Sequence, residues 1–87
     1  MNITQISQAG TQESNDILVI LKPNPEGTIE IHLQSVVLKQ FGKQIKAIIL
    51  STLQNHGITS CLCECEDKGA LDHVIIARVE SAIQRQL

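Results

Sequence analysis

Thr28-Ile29-Glu30-Ile31-His32-Leu33-Gln34 alternates apolar and polar residues without a break, and the run that follows changes period. On an extended chain successive side chains point to opposite faces. Ile29, Ile31 and Leu33 therefore share one side and Glu30, His32 and Gln34 the other, which describes a strand with one wet face. From Ser35, read as an N-cap, to His56 the stripe is Phe41, Ile45, Ile48, Ile49, Thr52 and Leu53, at helical spacing. Gly57 stands where a helix-ending glycine belongs. Gly42 inside the pattern costs about 1 kcal/mol relative to alanine, so a bend or a late helix start is expected there.

Working outward toward the N-terminus, Ile17 to Lys22 is a near-continuous run of Ile, Leu and Val, the pattern of a buried strand. Pro23-Asn24-Pro25-Glu26-Gly27 cannot continue a ladder and reads as a turn, so the two strands are expected to form a hairpin. Toward the C-terminus, Cys61 to Glu66 alternates again, with cysteines on the inner side and Leu62, Glu64 and Glu66 outside. Asp67-Lys68-Gly69 reads as a turn. Ala70 to Arg85 then places Leu71, Ile75, Val79, Ala82 and Ile83 on one helical face, widened by Val74 and Ala77. The order is β-β-α-β-α, and the expectation is a small α+β domain with both helices on one face of the sheet. Residues 1–16, rich in Gln, Ser, Thr and Asn, read as an arm and loop ahead of a single domain over residues 17–87.

Composition narrows the function. The chain has 87 residues, a formal net charge of −2, one Phe and neither Trp nor Tyr. The core must be aliphatic and modest in size. A weakly acidic chain lacks the cationic surface that dominates duplex binding, and one lacking aromatics offers no stacking platform for single strands, so nucleic acid is not an expected partner. No stretch reaches the roughly 20 apolar residues that span a bilayer, so no membrane partner is expected. The first residues carry neither the basic nor the apolar region of a secretion signal, and a cytoplasmic location is expected.

Several residues invite chemistry. Cys61, Cys63 and Cys65 suggest zinc, but on a strand Cys61 and Cys65 lie about 13 Å apart along the axis. A tetrahedral site needs its sulfurs within about 4 Å of one another. Three crowded cysteines behave better as small core hydrophobes in a reducing compartment. His32, His56 and His73 are scattered without a partner at a recognisable spacing. Glu64, Glu66 and Asp67 read as a solvated acidic patch, and Lys39, Lys43 and Lys46 as a solvated helix face. No nucleophile stands beside a base, and no glycine-rich phosphate loop is present. What remains is the polar loop Ala9 to Asp16, which shows one hydroxyl, Ser14, ahead of a strand that can hold it still.

Gly10-Thr11-x-Glu13-Ser14-x-Asp16 resembles the start of the citrate lyase acyl carrier proteins, the gamma subunits. Ser35-x-Val37-x-Lys39-Gln40-Phe41-Gly42 is similar to that family's mid-chain signature. Asp67-Lys68-Gly69-Ala70-Leu71-Asp72, with Ala77-Arg78-Val79-Glu80, is similar to its C-terminal one. The resemblance runs over essentially the whole chain in the same order. It implies a non-catalytic carrier with no metal. Ser14 would bear phosphoribosyl dephospho-CoA, derived from 2'-(5''-triphosphoribosyl)-3'-dephospho-CoA, through a phosphodiester placed by a prosthetic-group transferase. The thiol end of that arm would carry acetyl and citryl thioesters between the alpha (transferase) and beta (lyase) subunits as citrate becomes acetate and oxaloacetate. Gln12, His73 and the cysteine strand depart from the family pattern, and none of them is Ser14. The alternatives are the carrier subunit of malonate decarboxylase, which uses a similar group, and an unmodified protein-interaction module. Phosphopantetheine carriers, in which the serine opens a helix, fit less well, because here the serine precedes a strand.

Overall fold

The computed structural model describes residues 2–86. Four strands and two helices follow one another as β1 (Ser7–Ala9), β2 (Ile17–Lys22), β3 (Ile29–Ser35), α1 (Leu38–Asn55), β4 (Cys61–Asp67) and α2 (Asp72–Gln84). The α+β class holds, and the expected series gains one short strand at its start. The strand β1 lies within the polar N-terminal stretch because Ser7 and Ala9 point inward and pair with Leu21 and Val19. Around it, Ile3 is buried, the Ser7 hydroxyl donates to the Ala82 carbonyl at 2.8 Å, and the Gln86 amide donates to Ser7 Oγ and to the Gln5 carbonyl.

The sheet order is β1-β2-β4-β3, antiparallel except for the parallel pair β3 and β4. This overturns the hairpin expected between β2 and β3, since β4 lies between them. A parallel pair needs a long crossover, and α1 supplies it. The connection over residues 23–28 has only to step across one intervening strand, about 10 Å at the usual strand spacing. Two prolines and a glycine allow that step without requiring the strands to pair.

One face of the sheet is sealed by the two helices. Ile17, Val19 and Leu21 from β2, and the three cysteines from β4, meet Ile45, Ile49 and Leu53 of α1 and Ile75, Val79, Ala82 and Ile83 of α2. The inner cysteines and outer Leu62, Glu64 and Glu66 follow the expected alternation. On the open face Lys22 pairs with Glu64 at 2.6 Å, a half-exposed contact of small energetic weight.

The helix ends differ from expectation at one terminus and match at the other. The residue flanking α1 is Val37 rather than Ser35, and Gly42 falls well inside the helix. Ser35 serves the turn instead, accepting a hydrogen bond from the Val37 N–H at 3.1 Å while donating to Asp67. Gly57 ends α1 with a φ of 76°, a left-handed conformation that costs glycine nothing, and its N–H closes on the Gln54 carbonyl. Leu71, expected on the buried stripe, instead flanks α2 and is 65% exposed. No helix among the described residues is long and apolar enough to cross a membrane.

Candidate functional site

Ser14 sits at the outer tip of a tight turn between β1 and β2. The Asp16 N–H donates to the Glu13 carbonyl at 3.1 Å, which closes a four-residue turn with Ser14 and Asn15 at its centre. Asn15 takes a φ of 66°, a left-handed conformation that asparagine tolerates better than most residues. The Ser14 residue is exposed, and among the described residues its hydroxyl engages no hydrogen-bond partner. It is a free hydroxyl on a fixed base.

The base is fixed by one carboxylate. Asp16 Oδ2 accepts from the Thr11 hydroxyl at 2.7 Å and the Thr11 N–H at 3.1 Å, while Oδ1 accepts from the Ile17 N–H at 2.8 Å. From α2, Arg78 completes the set with two parallel bonds, Nε to Oδ1 and Nη2 to Oδ2, both 2.9 Å. This is the bidentate fork that makes arginine–carboxylate pairs the stronger and more directional kind. The Asp16 side chain is only 13% exposed. The Arg78 bonds, with those from Thr11 and Ile17, hold its carboxyl well below the ordinary carboxylate range, at about 2, although burial pushes the other way. At neutral pH the carboxylate is charged and fully satisfied.

Two further clasps bind the turn to the rest of the domain. The Asn15 N–H donates to the Lys68 carbonyl and the Lys68 N–H donates to the Asp16 carbonyl, each at 2.9 Å. The Gln12 amide reaches Glu66 on β4 at 2.6 Å. At the other end, Gly10 has a φ of 89°, and a side-chain carbon there would collide with the Ile17 carbonyl oxygen, so the chain can pass only as glycine.

Beneath the turn lies Asp67, read from sequence as part of a solvated acidic patch. It is 1% exposed. Its Oδ2 accepts from the Ser35 hydroxyl at 2.7 Å and its Oδ1 from the Ala70 N–H at 2.9 Å, tying the turn before α1 to the turn before α2. Neither Asp16, Arg78 nor Asp67 was given a role by sequence reasoning. Their presence in the three resembling stretches was the available signal, because a carboxylate and a guanidinium that recur at fixed places in a family are candidates for pairing.

The other candidates stand apart from the turn. The thiols are buried in the core, and the Cys63 and Cys65 sulfurs approach to 3.4 Å, closer than an ideal strand spacing implies. Burial, with the neighbouring Cys65 thiol, pushes the Cys61 thiol up to about 11, and the bond to Cys65 with burial pushes Cys63 far above the usual thiol value. Neutral thiols are neither nucleophiles nor metal ligands. No group of three or more metal-ligating side chains occurs among the described residues. Two histidines do have carboxylate partners that sequence spacing concealed: His56 with Glu80 at 2.8 Å across the helices, and His32 with Glu30 at 3.4 Å along β3. Neither belongs to the Ser14 turn, and Lys39, Lys43 and Lys46 are exposed as expected.

Comparisons with known proteins point the same way. Residues 4–86 match the family described as "ACP: Malonate decarboxylase delta subunit (MdcD)". The citrate lyase acyl carrier protein of Clostridium perfringens is 47% identical over 98% of this chain and 84% of its own length. That of Latilactobacillus sakei is 49% identical over 100% and 85%, and that of Halothermothrix orenii 44% identical over 98% and 89%. In fold, the chain is similar to one from a Pseudomonas malonate decarboxylase hetero-tetramer crystallised with malonate, with a TM-score of 0.82 at 20% identity, covering 95% of this chain and 84% of that one. With relatives this similar over nearly its whole length, the chain belongs to the citrate lyase acyl carrier protein family, whose members are non-catalytic carrier subunits.

Proposed function

We propose that Ser14 Oγ is the attachment point of phosphoribosyl dephospho-CoA, and that the chain serves citrate lyase as the carrier moving acyl units between its alpha and beta subunits. The single observation that supports this most is the contrast within one turn: an exposed hydroxyl mounted on a carboxylate clamp of five hydrogen bonds. A carrier serine needs accessibility to a modifying enzyme and a fixed base, and it needs no neighbouring general base of its own. The residues present fit the group, since the tip of the turn is open and nothing charged in the clamp competes for the phosphodiester. When bound, the group supplies a thiol on a long flexible arm, which raises the effective concentration of a carried acyl unit at two active sites in turn.

Within that reading the chain's own residues have mechanical tasks. Asp16 and Arg78 lock the turn to α2, so that the root of the arm does not wander with the loop. Asn15 supplies the left-handed residue that turns the Ser14 side chain outward. Gly10 lets the backbone pass under Ile17. A carrier serving malonate decarboxylase is the second reading, favoured by the description of the matching family; the 44–49% identity to citrate lyase carriers favours the first.

Intact mass of the protein co-produced with the prosthetic-group transferase tests the attachment. The expected result is a nucleotide-sized increase mapped by fragmentation to Ser14 and absent from Ser14→Ala. An adduct that persists on Ser14→Ala contradicts it. Reconstitution then separates the two readings: the loaded chain should restore citrate cleavage to alpha and beta lyase subunits, and failure there with activity in a malonate decarboxylase complex would favour the second.

A further inference from the structure

The described residues include seven large apolar side chains left exposed, and four of them, Val36, Leu38, Phe41 and Leu71, flank the connections that enter α1 and α2. The Ser14 turn is at this same end. The Asn15 N–H bonds the Lys68 carbonyl, and a carbon built on Gly69 would sit 3.8 Å from Asn15 Oδ1. The next residues, Ala70, Leu71 and Asp72, form one wall of a shallow groove of about 250 Å³, and Val37, Phe41, Gln44 and Ile45 of the α1 entry form the other. The attachment turn and the groove therefore share one strip of backbone.

Phe41 is the only aromatic residue of the chain, and it is 48% exposed. A core of Ile, Leu and Val has been built without it, and packing alone would favour burying so large an apolar side chain. A half-exposed aromatic ring in a groove suits a flat π system, and stacking of a nucleobase on such a ring is favourable for any base. The groove also offers a side-chain amide at Gln44, which has the donor–acceptor pair that matches the N6 and N7 edge of adenine. The backbone of Lys68 binds the turn, and among the described residues Asp72 is the one charged side chain that lines the groove.

We propose that the groove between Phe41 and Leu71 is a seat for the adenine of the group carried on Ser14. The base stacks on Phe41, and only the segment beyond it swings free. This rests on Ser14 being the attachment point. It divides the arm into a docked nucleotide root and a mobile thiol end, and it gives the exposed apolar strip beside the turn an occupant that is always present at high local concentration. A groove of this size is too small to bury a whole coenzyme, but is of the order needed for one base.

The test uses the full chain, loaded on Ser14 and verified by intact mass, against the unloaded Ser14→Ala protein, with two-dimensional amide NMR and nuclear Overhauser contacts as readouts. The expected result is a shift of the Phe41, Gln44, Ala70 and Leu71 amides on loading, with contacts between the adenine protons and the Phe41 ring. Phe41→Ala, a surface change whose fold is checked by circular dichroism, should remove those contacts and leave the mass increase intact. Loaded protein whose shifts are confined to residues 11–16 and 67–68 overturns the adenine seat and leaves the attachment standing. A groove that responds only when the transferase or a lyase subunit is added is a partner surface, and this also overturns it. A chain that stays unloaded beside an active transferase overturns both readings.

Discussion

The Ser14 turn and the cysteine strand β4 are the two places where this chain shows chemically able side chains, and the fold treats them in opposite ways. In the turn, hydrogen-bonding capacity is spent on Asp16 and Arg78, and the one hydroxyl at the tip is left free. In β4, three thiols of far greater intrinsic reactivity are sealed under both helices, and burial pushes the Cys61 and Cys63 thiols above their ordinary value. Reactivity by residue type is therefore a poor guide here. What distinguishes the proposed attachment turn is a rigid polar scaffold beneath an exposed group, and what distinguishes the cysteine strand is burial that raises a thiol's pKa.

The largest effect that sharpens this contrast is all or none. Ser14→Ala should abolish attachment while leaving the denaturant midpoint nearly unchanged, within about 0.5 kcal/mol, as for other exposed substitutions. Gly10→Ala should come next: forcing a side chain into a positive-φ site against the Ile17 carbonyl should destabilise by about 3 kcal/mol or more, measured by urea unfolding, and lower the yield of loaded protein. On the other side of the comparison, Cys63→Ser buries a hydroxyl among apolar neighbours and should cost about 1–3 kcal/mol. Cys63→Ala should cost less, and both variants should load as fully as the parent. A cysteine variant that folds normally but loads poorly would break the comparison.

The smallest effect concerns the clamp. Arg78→Ala should cost about 1–2 kcal/mol at neutral pH, because the partner carboxylate is mostly buried while the guanidinium is itself partly exposed and screened. The Asp16 carboxyl is lowered in the folded state, so its contribution is present above the unfolded carboxylate value near 4 and is lost as pH falls toward its folded value of about 2. Stability of the parent followed by urea unfolding over that window should fall more steeply than that of Asp16→Asn. Equal slopes would mean that the clamp carries no linkage.

Much of this architecture is local and could be read from sequence: the alternation of Cys61 to Glu66, the stripe from Ile45 to Leu53, and the left-handed stop at Gly57. Apart from helix-end details such as Val37 in place of Ser35 and the exposed Leu71, the failures are non-local. Strand order depends on which strand takes the centre, and β4 takes it by pairing antiparallel with β2 along one edge and parallel with β3 along the other. The Asp16–Arg78 fork joins residues 62 apart, so no spacing rule could reveal it. Asp67 looks like an edge charge in the string Glu64-Cys65-Glu66-Asp67, and only the fold shows that its alternation places it inward with Ser35 and Ala70 to satisfy it. The proposal of Ser14 as the attachment point rests on the family resemblance. A lone serine in a polar loop carries no signal, and its distinguishing feature, the clamp under it, is tertiary.

The most direct test of the contrast is one mass experiment on three proteins co-produced with the prosthetic-group transferase: the parent, Ser14→Ala, and a variant with Cys61, Cys63 and Cys65 all replaced by alanine. The account predicts the same adduct on the parent and the cysteine-free chain, located at Ser14, and none on Ser14→Ala. An adduct on Ser14→Ala, or its loss from a folded cysteine-free chain, would contradict it.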